Sequence, residues 1–175
     1  MIKELISAVM ICGALCAQQR PAQSSSADSW QALRFLVGTW ESKTHGGSAN
    51  AESSGTYTFQ LELRDHVLAR HAAPVACKGP AGFDCQHGDL LYIYQDAPGQ
   101  PRKAIYFDNE GHVIHYTVTT PEPNMAVLLS DPAQPGPQFR LTYGLKGGVM
   151  EGKFQIRVPG QDDFRPYLEW GGAKK

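Results

Sequence analysis

The segment FLVGTWE, residues 35–41, decides the fold of this 175-residue chain. It stands where a short helical pattern ends and a long series of strand patterns begins. Gly38 relaxes the backbone at this junction, because a residue without a Cβ accepts conformations that are closed to the others. Trp40 supplies a large apolar ring that can plug one end of a barrel. The segment therefore predicts a β-barrel whose first strand begins at Gly38.

The clearest strand pattern downstream belongs to a hairpin over residues 139–156. Gly147 and Gly148 form a two-residue turn in which both positions accept a positive φ. Pairing across this turn brings the apolar residues onto one face, whereas a slip of one residue would scatter them. We expect the ring of Tyr143 to cover Gly152, the bare glycine opposite it. The other predicted facing pairs are Leu145 with Met150, Leu141 with Phe154, and Phe139 with Ile156.

Further strand patterns of similar length follow one another along the chain. Tight turns join most of them, and no helical pattern is long enough for a crossover between parallel strands. We predict an all-β fold, a single up-and-down antiparallel β-barrel of about ten strands with a short N-terminal helix. A β-sandwich is the alternative, and the short sequential connections disfavour it. Pro166 predicts a free edge or a bulge in the last strand. The remaining strands are predicted at residues 57–64, 67–72, 89–95, 103–108, 112–119, 125–130 and 164–170.

The N-terminus carries a predicted signal peptide, residues 1–17. Residues 5–15 are apolar but too few to span a bilayer, so cleavage after Ala17 leaves no integral membrane span in the mature chain. A lipoprotein signal at Cys12 or Cys16 is the alternative, but bulky residues precede both cysteines. The mature protein is therefore expected to be secreted or periplasmic.

The mature chain divides into a tether and one domain. Residues 18–28 are polar and rich in Ser, Gln and Ala, which predicts a disordered tether because such a segment cannot bury apolar surface. The barrel domain spans residues 29–175 and starts with an amphipathic helix over residues 29–37, with Asp28 or Ser29 as the N-cap. The formal net charge of −1 gives no long-range field, so no nucleic-acid partner is expected.

These features resemble the calycin superfamily of lipocalins, fatty-acid-binding proteins and nitrobindin-like barrels. Residues 35–41 look most like the opening of nitrobindin-like and lipocalin-like secreted bacterial domains, and the resemblance implies a barrel that surrounds a ligand. Arg165-Pro166-Tyr167 is similar to the Arg-x-Tyr with which fatty-acid-binding proteins grip a carboxylate. Nitrobindin-like proteins hold haem through a histidine on a late strand, but here no histidine follows His115. No cofactor is therefore expected.

Two cysteines remain after the leader, Cys77 and Cys85, within the Gly/Pro-rich residues 74–88. In an oxidising compartment such a pair should form a disulfide that holds a lid loop. The alternative is a metal site that adds His71 and His87 to the two thiolates, but the spacing matches no compact ligand pattern. We expect the disulfide and no metal.

Arg70 and His112 are the polar candidates for the barrel interior. A turn at residues 65–66 would pair Leu63 with Leu68 and Leu61 with Arg70, which places a guanidinium on the apolar face. Arg70 would then pair with a carboxylate, await an anionic ligand, or turn to solvent at a bulge. His112 is predicted to lie inward with Phe107 at the rim. The other histidines, including His45 and His87 in glycine-flanked loops, are expected to be solvated.

The predicted function is that of a secreted binding protein with a small apolar or amphipathic ligand inside the barrel. Four tyrosines at residues 57, 106, 116 and 143 can line a cavity with rings and hydroxyls. One alternative is an enzyme of the isomerase or hydrolase type, which would need a buried histidine beside a carboxylate such as Asp108 or Glu110. The other is a solid barrel with a structural or interaction role. The predicted ligand-binding residues are Trp40, Tyr57, Arg70, His112, Tyr143 and Phe154.

Overall fold

The computed structural model describes residues 30–132 and 136–175. The predicted signal peptide and tether, residues 1–17 and 18–28, lie outside the described residues, as do the two N-cap candidates. The described chain forms a closed barrel of ten antiparallel strands, in which each strand pairs with its sequence neighbours and the last strand returns to the first. This topology confirms the up-and-down barrel and rules out the sandwich.

The elements follow one another with short connections. A short 3-10 helix over Gln31–Leu36 precedes the first strand. The strands are β1 (Gly38–Gly46), β2 (Glu52–Glu62), β3 (Val67–Lys78), β4 (Asp89–Tyr94), β5 (Arg102–Asp108), β6 (Val113–Thr119), β7 (Met125–Ser130), β8 (Gln138–Lys146), β9 (Val149–Arg157) and β10 (Arg165–Ala173).

The N-terminal helix seals one end of the barrel, as predicted, although it is shorter than the predicted segment and has 3-10 geometry. Its N-cap is Trp30, whose side chain makes no cap hydrogen bond. Instead the Trp30 indole donates to the backbone oxygen of Asp65 in the β2–β3 turn at 2.7 Å. The Trp40 indole donates to the backbone oxygen of Leu36 at 2.7 Å. These two bonds attach the helix to the barrel wall, and the helix residues Leu33 and Leu36 are fully buried.

The register of the β8–β9 hairpin matches the prediction at every facing pair. Tyr143 lies opposite Gly152, but a different ring covers the glycine. A Cβ added at Gly152 would lie 2.1 Å from Cε2 of Trp170 on β10. The glycine is therefore needed because the Trp170 indole occupies the space of a side chain.

The β2–β3 turn differs from the prediction. It spans four residues, and Leu63, Arg64 and Asp65 all adopt positive φ. Leu63 is 73% exposed and does not face Leu68. Leu61 faces Leu68, and Arg70 faces Phe59. The predicted register was thus wrong by two residues, and because a shift of two preserves the face, Arg70 still points inward.

One strand end and two register shifts also bear on the cavity. β3 is longer than predicted, because it continues to Lys78 and pairs Cys77 with Ser53. The strand register shifts between Pro166 and Leu168, which confirms the predicted bulge in the last strand. β1 and β10 close the barrel around a second irregularity between Thr44 and Gly46.

The interior is filled near the helix and open at the other end. Side chains from many strands pack with no exposure at the closed end, including Phe59, Leu68, Ile93, Leu128 and Met150. Within the part of the chain that the structure describes, no helix is both long and apolar enough to cross a membrane.

Candidate binding cavity

The open end of the barrel contains a cavity of about 700 Å³. Inward-facing residues on most of the strands line it, and the loop between β3 and β4 contributes Phe83, Asp84 and His87. We call residues 79–88 the lid loop. A volume of this size is within the range of small-molecule sites.

Five of the six predicted ligand-binding residues line this cavity: Tyr57, Arg70, His112, Tyr143 and Phe154. Trp40 is not among the lining residues. It is 2% exposed and lies at the closed end, where Lys174 Nζ is 5.3 Å from the centre of its ring. The prediction that Trp40 plugs one end is confirmed, and its assignment to the ligand site is not supported by its position.

One wall of the cavity is apolar. Phe139 and Phe154 stack with ring centroids 5.6 Å apart and an interplanar angle of 13°. Leu141 and Ile156 lie beside them on the same two strands, and Leu168 adds the neighbouring part of β10. This wall follows from the alternation of β8 and β9 that the sequence displays.

The opposite wall carries a buried ion pair. Arg70 Nη1 lies 2.5 Å from Asp89 Oδ1, and the two side chains are 11% and 14% exposed. The Arg70 guanidinium also lies 5.2 Å from the centre of the Tyr57 ring. Burial alone would lower the pKa of Arg70. The Asp89 carboxylate and the nearby tyrosine hydroxyls outweigh this effect and raise the pKa of Arg70. Arg70 therefore has an internal carboxylate partner, which was one of the predicted outcomes, and the bulge that would expose it does not form.

His87 lies in the lid loop and belongs to the cavity, contrary to the prediction of a solvated loop residue. A hydrogen bond of 2.9 Å joins its Nε2 to the Tyr106 hydroxyl. The same nitrogen lies 3.8 Å from Asp89, and Nδ1 lies 3.5 Å from Glu110. The sequence contained no signal for this contact, because it depends on how the lid loop folds back over β5. His45 was also predicted in a loop, but it lies on β1, where it bonds to Glu151.

His112 lines the rim, but its neighbour is Asp108 rather than Phe107. Phe107 pairs with Val113, and both are exposed. The His112 ring nitrogen Nδ1 lies 2.9 Å from Asp108 Oδ2, and the His112 backbone N–H donates to Asp108 Oδ1 at 2.8 Å. Burial opposes ionisation of Asp108, but these hydrogen bonds outweigh it and lower the pKa of the carboxyl. The Asp108 carboxylate, which is ionised and 4% exposed, therefore holds the orientation of the His112 ring.

The floor of the cavity is a cluster of aromatic side chains around Tyr57. The Tyr143 ring lies 6.1 Å from Tyr57 and 6.0 Å from Trp170, measured between centroids. Burial raises the pKa of Tyr57 to about 12 and also raises the pKa of Tyr143. Trp170 lies close enough to Tyr57 to lower that pKa in part, but without good hydrogen-bond geometry.

Four polar atoms at this floor are buried and make no hydrogen bond within the described residues. They are the hydroxyls of Tyr57 and Tyr143, the indole nitrogen of Trp170 and Nε of Arg70. Buried polar groups in folded proteins nearly always have a partner. We refer to these four groups as the floor donors.

The lid loop is tied down by the predicted disulfide between Cys77 and Cys85. The two sulfur atoms are thus bonded to each other and cannot bind a metal as thiolates. His71 is hydrogen-bonded to Glu62 at 2.9 Å instead of joining the two cysteines. The alternative metal site of these four residues is therefore excluded.

Other groups at the mouth could hold a metal ion. Potential ligand atoms of Asp84, His87 and Glu110 lie within 4.8 Å of one another, and so do those of Asp108, Glu110 and His112. Each of these carboxylates and imidazoles already takes part in a hydrogen bond or an ion pair at the rim. These contacts account for the positions of the side chains without a metal ion.

The segment that is similar to the Arg-x-Tyr of fatty-acid-binding proteins does not form such a site. Arg165 is exposed and does not line the cavity, and Tyr167 lies at the mouth with its ring against Phe154. The bulge at Pro166 separates the two residues in the strand register. The buried arginine of this barrel is Arg70, on a different strand.

No known family model matches this chain, and no curated protein matches it. The fold is consistent with a calycin-like barrel, because ten antiparallel strands close in sequence order.

Proposed function

We propose that this protein is an exported binding protein of the calycin type that holds a small amphipathic molecule in its barrel. The observation that carries the proposal is a cavity of about 700 Å³ at one end of a barrel whose other end is sealed. An apolar wall of stacked phenylalanines faces a wall with a buried ion pair and two histidines. Such a division suits a ligand with one apolar and one polar side.

A filling substitution tests this proposal. Ala72 lines the cavity and Ala73, its neighbour on β3, is exposed on the outside. Ala72→Trp should abolish the binding of Nile red, an uncharged solvatochromic dye, because the indole fills the cavity. Ala73→Trp adds the same side chain outside and should leave dye affinity unchanged. Equal affinity of the two variants, both folded by circular dichroism, would mean that the dye does not bind in the barrel.

Native mass spectrometry addresses the ligand itself. Protein purified from the periplasm of its own cells should carry a small molecule that the Ala72→Trp variant, produced in the same way, lacks. The added mass would identify the ligand class. A wild-type protein that carries no added mass and binds no dye would favour a structural or interaction role.

A second candidate function is proton transfer, and the His112–Asp108 pair favours it. A carboxylate that accepts from one ring nitrogen fixes the orientation of the imidazole, as a general base requires. The Nδ1–Oδ2 distance of 2.9 Å and the burial of Asp108 meet this requirement. The predicted enzyme alternative named Asp108 as such a carboxylate but required a buried histidine, whereas the His112 side chain is 62% exposed.

Solvent exchange separates this candidate from simple binding. A panel of aliphatic ketones and esters would be incubated with the protein in deuterium oxide. Isomerase-type chemistry should introduce deuterium beside the carbonyl, and hydrolase-type chemistry should release acid. Either activity should be lost in His112→Asn while Nile red binding persists. Activity that survives in His112→Asn, or no activity in the wild type, would exclude this residue as the base.

A further inference from the structure

We propose that the floor donors bind an uncharged carbonyl oxygen of the ligand, so that the ligand enters with its carbonyl end first. This inference rests on the proposed binding function and adds the chemical class and orientation of the ligand. It depends on three observations: the hydrogen-bonding capacity of the floor, the charges around it and its place in the lining of the cavity.

The hydrogen-bonding capacity of the floor calls for an acceptor. Trp170 Nε1 and Arg70 Nε can only donate, and the hydroxyls of Tyr57 and Tyr143 can each donate one hydrogen. All four are buried without a partner within the described residues. Burying such donors is costly unless an acceptor reaches them. A ligand oxygen that reached these groups would supply an acceptor that they lack.

The surrounding charges favour a neutral oxygen over an anion. The positive charge of Arg70 is already matched by Asp89 at 2.5 Å. The path from the mouth to the floor passes the carboxylates of Asp84, Asp108 and Glu110, all of which line the cavity. An incoming carboxylate would meet like charges along this path and would find no unmatched cation at its end. A neutral carbonyl group meets no like-charge repulsion along the path and needs no unmatched cation at its end.

The floor lies within the lining of the cavity. Tyr57 and Tyr143 both line the cavity and are 1% and 0% exposed. The apolar remainder of the ligand would then lie along the Phe139–Phe154 wall.

A matched series of ten-carbon compounds tests the inference: methyl octyl ketone, decane and decanoic acid, each measured by displacement of Nile red. The ketone should bind about 5- to 10-fold more tightly than decane, as expected for one or two net hydrogen bonds. Decanoate should bind more weakly than the ketone at neutral pH. The stretching frequency of the bound ketone carbonyl should fall relative to its value in hexane.

Conservative variants assign the effect to the floor. Tyr57→Phe combined with Tyr143→Phe should remove most of the ketone preference and raise the carbonyl frequency, while decane affinity stays the same. Tyr92→Phe, which removes a hydroxyl from a residue that does not line the cavity, should change neither quantity. Trp170→Phe should reduce the preference by about twofold.

The outcomes distinguish this inference from the binding function. Equal affinities for the ketone and decane would mean that trapped water already accepts hydrogen bonds from the floor donors. Tighter binding of decanoate than of the ketone would mean that the ligand is an anion. Either result overturns the inference and leaves the binding barrel intact. If none of the compounds displaces Nile red, or if Ala72→Trp still binds them, the binding function itself fails.

Discussion

At the closed end of the barrel, Trp30 and Trp40 each donate the indole N–H to a backbone oxygen, whereas at the open end Trp170 has no such partner within the described residues. Both ends are built from large aromatic side chains on the same continuous sheet. The difference lies in whether the polar atoms of these side chains are satisfied by the protein. Complete pairing stabilises the closed end, and incomplete pairing leaves the open end able to gain from a ligand.

The largest expected effect comes from the closed end. Trp40→Ala removes a buried ring and its hydrogen bond, so it should lower the free energy of unfolding by about 3–5 kcal/mol. Phe154→Ala, in the half-buried wall of the cavity, should cost only about 1–2 kcal/mol but should weaken Nile red binding. Chemical denaturation and dye titration measure the two effects. A Phe154 variant as unstable as the Trp40 variant would remove the distinction between the ends.

The disulfide is the next largest contribution, and it belongs to the open end. Replacing both Cys77 and Cys85 with Ser should lower the free energy of unfolding by about 2.5 kcal/mol, because the unfolded chain loses its cross-link. It should also weaken dye binding through the lid loop. Intact mass and thiol titration of protein purified from its own cells should find no reactive thiol. Two reactive thiols in that material would contradict the lid disulfide.

A smaller effect is expected from acid. The pKa of Asp108 is lower in the folded protein than in the unfolded chain, so the unfolded state binds the proton first as the pH falls. The stability from Asp108 is therefore present above about pH 4 and is lost as the pH falls through the folded pKa. Asp108→Asn should flatten this acid dependence in unfolding experiments between about pH 5 and pH 2. An unchanged pH profile would mean that other carboxylates control it.

We expect the protein not to bind haem through a histidine. β7 to β10 contain no histidine, and the two histidines that reach the cavity are bonded to neighbours at its mouth. Purified protein mixed with haem should show no Soret band of a histidine-ligated iron. A five-coordinate histidine spectrum would show that His87 or His112 leaves its partner to bind iron.

The parts of the molecule that were predictable are those in which local pattern determines structure. The Gly147-Gly148 turn and the alternation on either side of it were enough to predict the complete β8–β9 register. The burial of Trp40 followed from its place after Gly38. Arg70 was placed on the correct face even though its predicted partner on β2 was wrong.

The remaining features depend on residues that are distant in the sequence. The turn after β2 places Leu63, Arg64 and Asp65 at positive φ without a glycine, so no local signal marks it. His87 enters the cavity because the lid loop folds back to Tyr106. Trp170 covers Gly152 across the β9–β10 pair, a contact that the hairpin pattern alone does not contain.

The pairing of β1 with β10 has a consequence for the order of folding. Every other strand pair joins sequence neighbours, but this one brings Lys43 beside Gly171. Contacts between distant parts of a chain form slowly, because the entropy of closing a long loop must be overcome first. Short hairpins should form early, and this seam should close last. If the chain is exported before it folds, as the proposed function implies, it has no enclosed interior during transport, so the proposed ligand would be acquired only on the far side of the membrane.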